Sequence, residues 1–258
     1  MWYPTVRRTL MCLSKLYRSV EKEIFQEVSH EALKACIGSI VYASGMIQAK
    51  KTPFDGQLFL IKHLLILREQ ITPFNIIHSS SETALDFSNL WNERRISIPE
   101  VKELQLDYRR EVDRLLKATC EAFIRESAHQ IVGPLSTAIL KVCELYKCTN
   151  RNYQLIFFFQ VTAVKNQSAS TLNEKVTEAM KNMKKIIPII QQKMSLYLAN
   201  KETEFILYKP IRVNILETFQ KFSKLIEENF DDQDIVVIGC PNIDMLTVTL
   251  SSMSLNTV

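Results

Sequence analysis

Apolar residues recur along this chain in alternating steps of four and three, which places them on one side of a helix. Val6, Leu10, Leu13, Tyr17, Val20 and Ile24 make the first stripe, with Arg7, Arg8, Lys15, Arg18 and Lys22 mostly off it, so one helix is predicted through them. A second is predicted over about residues 30–49 with Ser29 as its cap, where Gly38 and Gly45 either weaken the helix or admit a close neighbour. Thr52-Pro53-Phe54-Asp55 is a start signal, with Thr at the N-cap, Pro in the first helical position and an acid in the first turn. Between residues 58 and 67, eight of ten positions are apolar, interrupted only by Lys62 and His63. A helix apolar nearly all round is covered by neighbours.

Pro73 ends that helix, and Ser79-Ser80-Ser81 is a loop before a short helix around residues 82–92. Ser97 and Glu100 have capping-box spacing, with Pro99 in the first turn. A long helix follows through Tyr108, Val112, Leu115 and Phe123 until Gly133-Pro134 breaks or kinks it. Arg109, Arg110, Asp113 and Arg114 are spaced for local ion pairs on a solvated face. Thr171 and Glu174 form another capping pair ahead of Val176, Met180, Met183, Ile187, Ile190, Met194 and Tyr197, a stripe that keeps phase through Pro188. Tyr208, Ile211, Ile215, Phe219, Phe222 and Ile226 line the last long helix, with Pro210 near its start, and a final helix follows Cys240-Pro241. Several of these helices reach about 30–42 Å at 1.5 Å per residue, a length that antiparallel bundles bury well. The fold class is therefore all-α, as elongated stacked helical bundles.

Composition narrows the picture further. Only 5 glycines occur in 258 residues, about 2% against a usual ~7%. Phosphate-cradling loops and tight hairpins need glycine, so nucleotide-binding α/β folds and turn-rich β folds are disfavoured. The net charge of +4 is too mild to imply nucleic acid, and the pairs Arg7-Arg8, Arg94-Arg95 and Lys184-Lys185 read as solvated helix faces, with a patch touching an acidic membrane surface as the alternative. No uncharged apolar run approaches the ~20 residues that span a bilayer, and charges at Arg7, Arg8 and Lys15 interrupt any signal-peptide pattern.

A search for chemistry returns little. The cysteines at 12, 36, 120, 143, 148 and 240 include no C-x-x-C, and the histidines at 30, 63, 78 and 129 are scattered, so no zinc quartet is expected. Unpaired cysteines of this kind fill cores and suit a reducing compartment. His63 could be a ligand or a base, but with no partner motif it is read as a packed or partly exposed histidine. Glu227-Glu228 and Asp231-Asp232 lie beside Asn229 and Phe230, as a helix end and its loop. No G-x-S-x-G, H-E-x-x-H, Walker A or G-x-G-x-x-G occurs. No catalytic, cofactor-binding or metal-binding residue is therefore expected, and protein binding is the activity left.

Particular stretches carry a resemblance. Met1-Trp2-Tyr3-Pro4-Thr5-Val6-Arg7-Arg8-Thr9-Leu10, the run Gly56-Gln57-Leu58-Phe59-Leu60-Ile61-Lys62-His63 with its continuation to Ile71, Met194-Ser195-Leu196-Tyr197-Leu198, Lys209-Pro210-Ile211-Arg212 and the tail around Cys240-Pro241 closely resemble the subunit 3 family of the conserved oligomeric Golgi complex. The resemblance implies the C-terminal part of a longer subunit, without the family's N-terminal coiled-coil region. It further implies a non-catalytic role in vesicle tethering and retrograde transport within the Golgi, supporting the recycling of glycosylation enzymes. The implied partners are sister subunits, with SNAREs, Rab GTPases, coat proteins and golgins. The implied location is the cytosolic face of Golgi membranes, held peripherally through partners, and the cytoplasm. The alternative is another cytosolic helical adaptor or scaffold; no repeat of about 30–45 residues marks a solenoid.

Two departures from the family pattern stand out. The chain looks shorter between Pro73 and Val112, and Leu155-Ile156-Phe157-Phe158-Phe159-Gln160 is apolar where the family is polar. The run reads as a buried strand or short helix; alternatively, because Phe-Phe-Phe-Gln is what a pyrimidine tract ending in CAG encodes, residues 142–160 fit a retained intron. Transcript reads joining the codons for Lys141 and Val161 would support this; uniform coverage without that junction would refute it. The expected organisation is a helical bundle segment over 1–72, a connection with a short helix over 73–97, a long helix pair over 98–147, an atypical insert over 148–169 and a C-terminal bundle over 170–258.

Overall fold

A computed structural model describes residues 2–74, 108–149 and 169–255, apart from the side chains of 108, 141–149 and 253–255. Among the described residues the regular structure is helical: α1 (Pro4–Leu16), α2 (Lys22–Lys50), α3 (Pro53–Ile71), a 3-10 turn (Thr72–Phe74), α4 (Tyr108–Thr149), α5 (Ala169–Leu198), α6 (Lys201–Asn229), α7 (Asp232–Ile238) and α8 (Ile243–Leu255). The all-α expectation holds. The predicted short helix near 82–92, the Ser97–Glu100 cap and residues 150–168 lie outside the described residues. The chain forms two compact units, Met1–Thr119 and Cys120–Val258.

In the first unit α1, α2 and α3 pack on one another. Val6, Leu10 and Leu13 are fully or nearly buried as predicted, but the stripe does not continue as one helix. The chain turns after Leu16, where Ser19 donates its backbone N–H to Leu16 O (2.9 Å) and its hydroxyl to Lys15 O (2.8 Å). These bonds satisfy carbonyls that the helix end would otherwise leave open, so the break is inexpensive. Beyond it the buried register shifts by one: Phe25 is in the core while Ile24 is exposed. Tyr17 closes the corner edge to face against Phe25 and Phe74, which are tilted to each other, with centroids 5.2 to 6.1 Å apart. Ser29, expected as a cap, is buried inside α2 and donates to Gln26 O at 2.9 Å.

The start of α3 is as predicted. Asp55 N–H donates to Thr52 Oγ1 at 3.4 Å, and the Thr52 hydroxyl donates to the Asp55 carboxylate at 2.5 Å. Phe54, Leu58, Leu60, Ile61, Leu64 and Leu67 are buried, which bears out a helix covered nearly all round. The close helix approach anticipated at Gly38 or Gly45 occurs instead at Gly56. A Cβ there would lie 2.7 Å from Ser44 O and strike Gln48 Cγ, whereas one at Gly38 or Gly45 would meet nothing within 4 Å. Ser44 completes the crossing by donating to Gly56 O at 2.8 Å. The opening turns of α4 are tied by Arg109, which donates to Thr72 O at 3.1 Å, and by Asp113, paired with Arg68 at 3.1 Å. Of the charges expected to pair locally, Arg114 does so, with Glu111 at 2.7 Å.

In the second unit α5 is central and packs against α6, α7 and α8. Val176, Met183, Ile187, Ile190 and Met194 are buried as read from the sequence, with Ala179 taking the core place expected of Met180. Thr171 lies within α5, which begins at Ala169, and so does not cap it. Pro134, Pro188 and Pro210 all sit inside helices, and Gly133-Pro134 does not end α4. Asn200 caps α6 by accepting from Glu202 N–H (2.9 Å) and Thr203 N–H (3.3 Å). Leu207, Tyr208, Ile211, Ile215, Phe219, Phe222 and Ile226 form its buried side.

Candidate interaction surfaces

Two of the family-like stretches meet. Tyr3 precedes Pro4, whose fixed φ suits the first position of α1. Its backbone N–H donates to His63 Nε2 at 3.0 Å, and the ring's other nitrogen donates to Phe59 O at 2.8 Å. This sets the neutral tautomer with the proton on Nδ1. Burial holds the His63 pKa below its ordinary value, the Phe59 carbonyl opposes that, and neighbouring Lys62 adds to it. Tyr3 and Phe59 pack edge to face at 5.5 Å, and the Tyr3 hydroxyl lies 3.3 Å from Ser39 Oγ, which donates to Thr5 Oγ1 at 3.2 Å. His63 is thus a packed histidine, as expected, but one that joins α3 to the start of α1.

The second unit uses the same device. Arg212 donates to Ser251 Oγ at 3.1 Å, linking α6 to α8. Tyr208 is buried near Gln191 and Arg212; burial raises its pKa and the guanidinium opposes the rise. Asn173 of α5 donates to Val237 O (3.1 Å) and Ile238 O (3.0 Å), the open carbonyls at the end of α7. Gly239, at φ 61°, turns the chain there in the left-handed conformation that glycine favours.

Cysteine placement differs from the core expectation at one position. Cys36 is buried, Cys120 and Cys240 are half-buried, and Cys12 is exposed, all four as free thiols. Burial pushes Cys120 and Cys240 up to about 11, helped by Glu121 and Glu227 respectively, so both are protonated at neutral pH. The side chains of Cys143 and Cys148, like Arg94, Arg95 and His78, lie outside the described residues. Among the described residues, no group of three or more His, Cys, Asp or Glu could hold a metal ion.

What remains are outward faces. Arg7, Arg8, Lys184 and Lys185 are exposed as predicted. Arg7, Arg8 and Lys15 line a shallow groove of about 1080 Å³ beside Trp2, Met11 and Gln70. Ile24, Val28, Tyr42 and Met46 are exposed on the side of α2 opposite its buried residues, where Gly38 and Gly45 leave the backbone open. Two stretches have the length and hydropathy of a membrane-spanning helix, Lys22–Lys50 and Asp232–Ser252. The first carries Glu27, Glu31 and Lys34 and packs against α1 and α3. The second is broken between α7 and α8 at Gly239. Both are better explained as packed helices with a second, uncovered apolar side. Periodicity could not single these residues out, because a stripe facing a core and one facing a partner have the same spacing.

Family models match both parts of the chain: subunit 3 of the conserved oligomeric Golgi complex, C-terminal, over residues 1–90, and the C-terminal cap domain of the same subunit over 115–253. The chain belongs to this Golgi complex subunit 3 family. Among curated relatives, the Drosophila melanogaster subunit 3 is 40% identical across 99% of this chain and 31% of its own length. The human subunit 3 is 41% identical across 97% and 33%, and that of Saccharomyces cerevisiae 25% across 88% and 28%. The chain thus spans about a third of the length of the curated relatives it matches. No solved structure matches it. The subunit 3 resemblance read from the sequence is confirmed, and the Tyr3–His63 contact joins two of the stretches that carry it.

Proposed function

We propose that this chain is the non-catalytic, protein-binding C-terminal part of a Golgi vesicle-tethering subunit, acting in retrograde transport within the Golgi and in maintaining its glycosylation machinery. The observation that carries this reading is the match of subunit 3 family models to both helical units. The geometry agrees with it. Family-like groups at Tyr3, His63 and Arg212 fasten helices internally, while apolar side chains such as Tyr42, 72% exposed, face outward. Exposed apolar faces on packed helices are surfaces for other proteins. Sister subunits of the complex are the first partners on this reading, with SNAREs, Rab GTPases, coat proteins and golgins as the wider set. Attachment to the cytosolic face of Golgi membranes is then peripheral, through those partners. Five segments, 1–72, 73–97, 98–147, 148–169 and 170–258, describe the working organisation of the chain.

Co-expression with each sister subunit, followed by pull-down, tests the proposal. Capture of at least one subunit, weakened by Tyr42→Asp and Met46→Asp together, is expected. No capture by any subunit, with a full-length subunit 3 binding in parallel, would reject it.

A further inference from the structure

The last two helices combine exposed apolar side chains with charge of a single sign. On α7, Val236 is 79% exposed and Val237 52%; on α8, Met245 is 67% exposed and Val248 68%. The inward positions of the same helices, Ile238, Leu246 and Leu250, are buried, so the helices are seated and still present a second apolar side. The α7 end is held by Asn173, and α8 by Arg212, so the arrangement is a fixed part of the second unit.

Charge selects among the possible occupants. From Leu225 to Val258 there is no Lys, Arg or His, but there are six carboxylates: Glu227, Glu228, Asp231, Asp232, Asp234 and Asp244. The preceding 224 residues hold all 32 basic residues against 22 acidic ones, a net +10. The four aspartates flank the exposed valines and Met245 in sequence and are themselves exposed. An anionic membrane surface would be repelled by them. A second copy seated symmetrically on this face would bring the same carboxylates together at the same rim. A helix with an apolar stripe bordered by Lys and Arg satisfies both features, burying the valines and Met245 while its cations meet the aspartates.

We propose that the outward sides of α7 and α8 form a docking surface for a basic amphipathic helix of a partner protein. α8 spans 13 residues, about 20 Å at 1.5 Å per residue, so three to four turns of the partner suffice to cover it. Opposite charge around an apolar centre also makes association fast and salt-sensitive.

The test uses the whole chain and a labelled synthetic 18-residue helical peptide with Leu on one stripe and Lys on both flanks. The control peptide carries Glu in place of Lys. Fluorescence anisotropy should show binding of the Leu/Lys peptide alone, at least tenfold weaker after Val236→Asn with Val248→Asn. Asp231→Asn, Asp232→Asn and Asp234→Asn together should weaken it and flatten its dependence on salt. Unchanged melting temperatures would show that the variants fold. Equal binding by the variants or equal binding of the Glu peptide would overturn the proposal. So would association of this face with phosphatidylserine vesicles, or dimerisation abolished by the same valine changes, in place of peptide binding. Capture of sister subunits is read separately: if it persists while peptide binding fails, only this docking surface is lost.

Discussion

The two units solve the same problem, holding long helices side by side, with opposite means. In the first, two backbones meet: α3 is covered nearly all round, and at Gly56, in its first turn, the backbones of α2 and α3 come close enough that a side chain has no room. In the second, the locks described are polar side chains: Asn173 holds the last carbonyls of α7, and Arg212 reaches Ser251 on α8. A backbone contact between two long helices ties its failure to both, whereas loss of a side chain that holds a short helix frees that helix alone.

Substitution at the glycines gives the largest expected effect. Gly56→Val should destabilise the first unit by about 3 kcal/mol, because a packed crossing can only relieve the clash with Ser44 O by separating the helices. Gly38→Ala, the comparison in the same bundle, should do the reverse and stabilise by up to about 1 kcal/mol, since open space surrounds that position within a helix. Chemical denaturation of both variants checks the pair. If both shift the midpoint in the same direction, the close contact at Gly56 is misplaced.

Asn173→Ala should cost about 1–2 kcal/mol locally by leaving two helix-end carbonyls without their donor. Hydrogen exchange should rise in residues 232–238 while α5 and α6 remain protected. A uniform rise throughout the second unit would mean that α7 is integral to the bundle and that its end lock is not separable.

The helical class, the covered helix near residues 58–67 and the Thr52 cap were legible in the sequence because each depends on residues within a few turns. The break after Leu16 was not. Its stripe stays in phase across the turn, and only the packing of Tyr17 against Phe25 and Phe74 shows that the register has moved. Ser29 was misassigned for a related reason: a serine bonding back to a carbonyl inside a helix has the same composition signal as a cap. Gly38 and Gly45 resembled close-approach sites, yet which glycine faces a neighbour is a tertiary fact. The outward apolar faces were hidden because spacing does not distinguish a core from a partner. The family segments, in contrast, were legible as sequence, and the structure adds that Tyr3 and His63 belong to one contact.

That contact gives the first unit a pH dependence. His63 is held neutral by burial, with its pKa below the ordinary 6.5. The unfolded chain therefore binds a proton that the folded state resists, and stability is lost as pH falls through and below about 6.5. Protonation of Nε2 would also deprive the Tyr3 N–H of its acceptor. Melting temperature should decline between pH 7 and 5 more steeply in the native chain than in His63→Gln. Parallel curves for the two would assign the acid sensitivity elsewhere.

The smallest expected effect lies at the turn joining α5 and α6. Ala199 has φ 52°, the left-handed region, which costs a residue with a Cβ about 1–2 kcal/mol. Glycine removes that cost but adds about 0.5–1 kcal/mol of unfolded-chain entropy. Ala199→Gly should therefore stabilise the second unit by at most about 1 kcal/mol, visible as a small rise in denaturation midpoint. The gain depends on the turn keeping its shape, which Asn200 enforces by accepting from Glu202 and Thr203. In an Asn200→Ala background, itself about 1 kcal/mol less stable, the glycine should help less, because a freed turn can relieve Ala199 by moving. Equal gains in both backgrounds would show that the cap does not hold the strained residue in place.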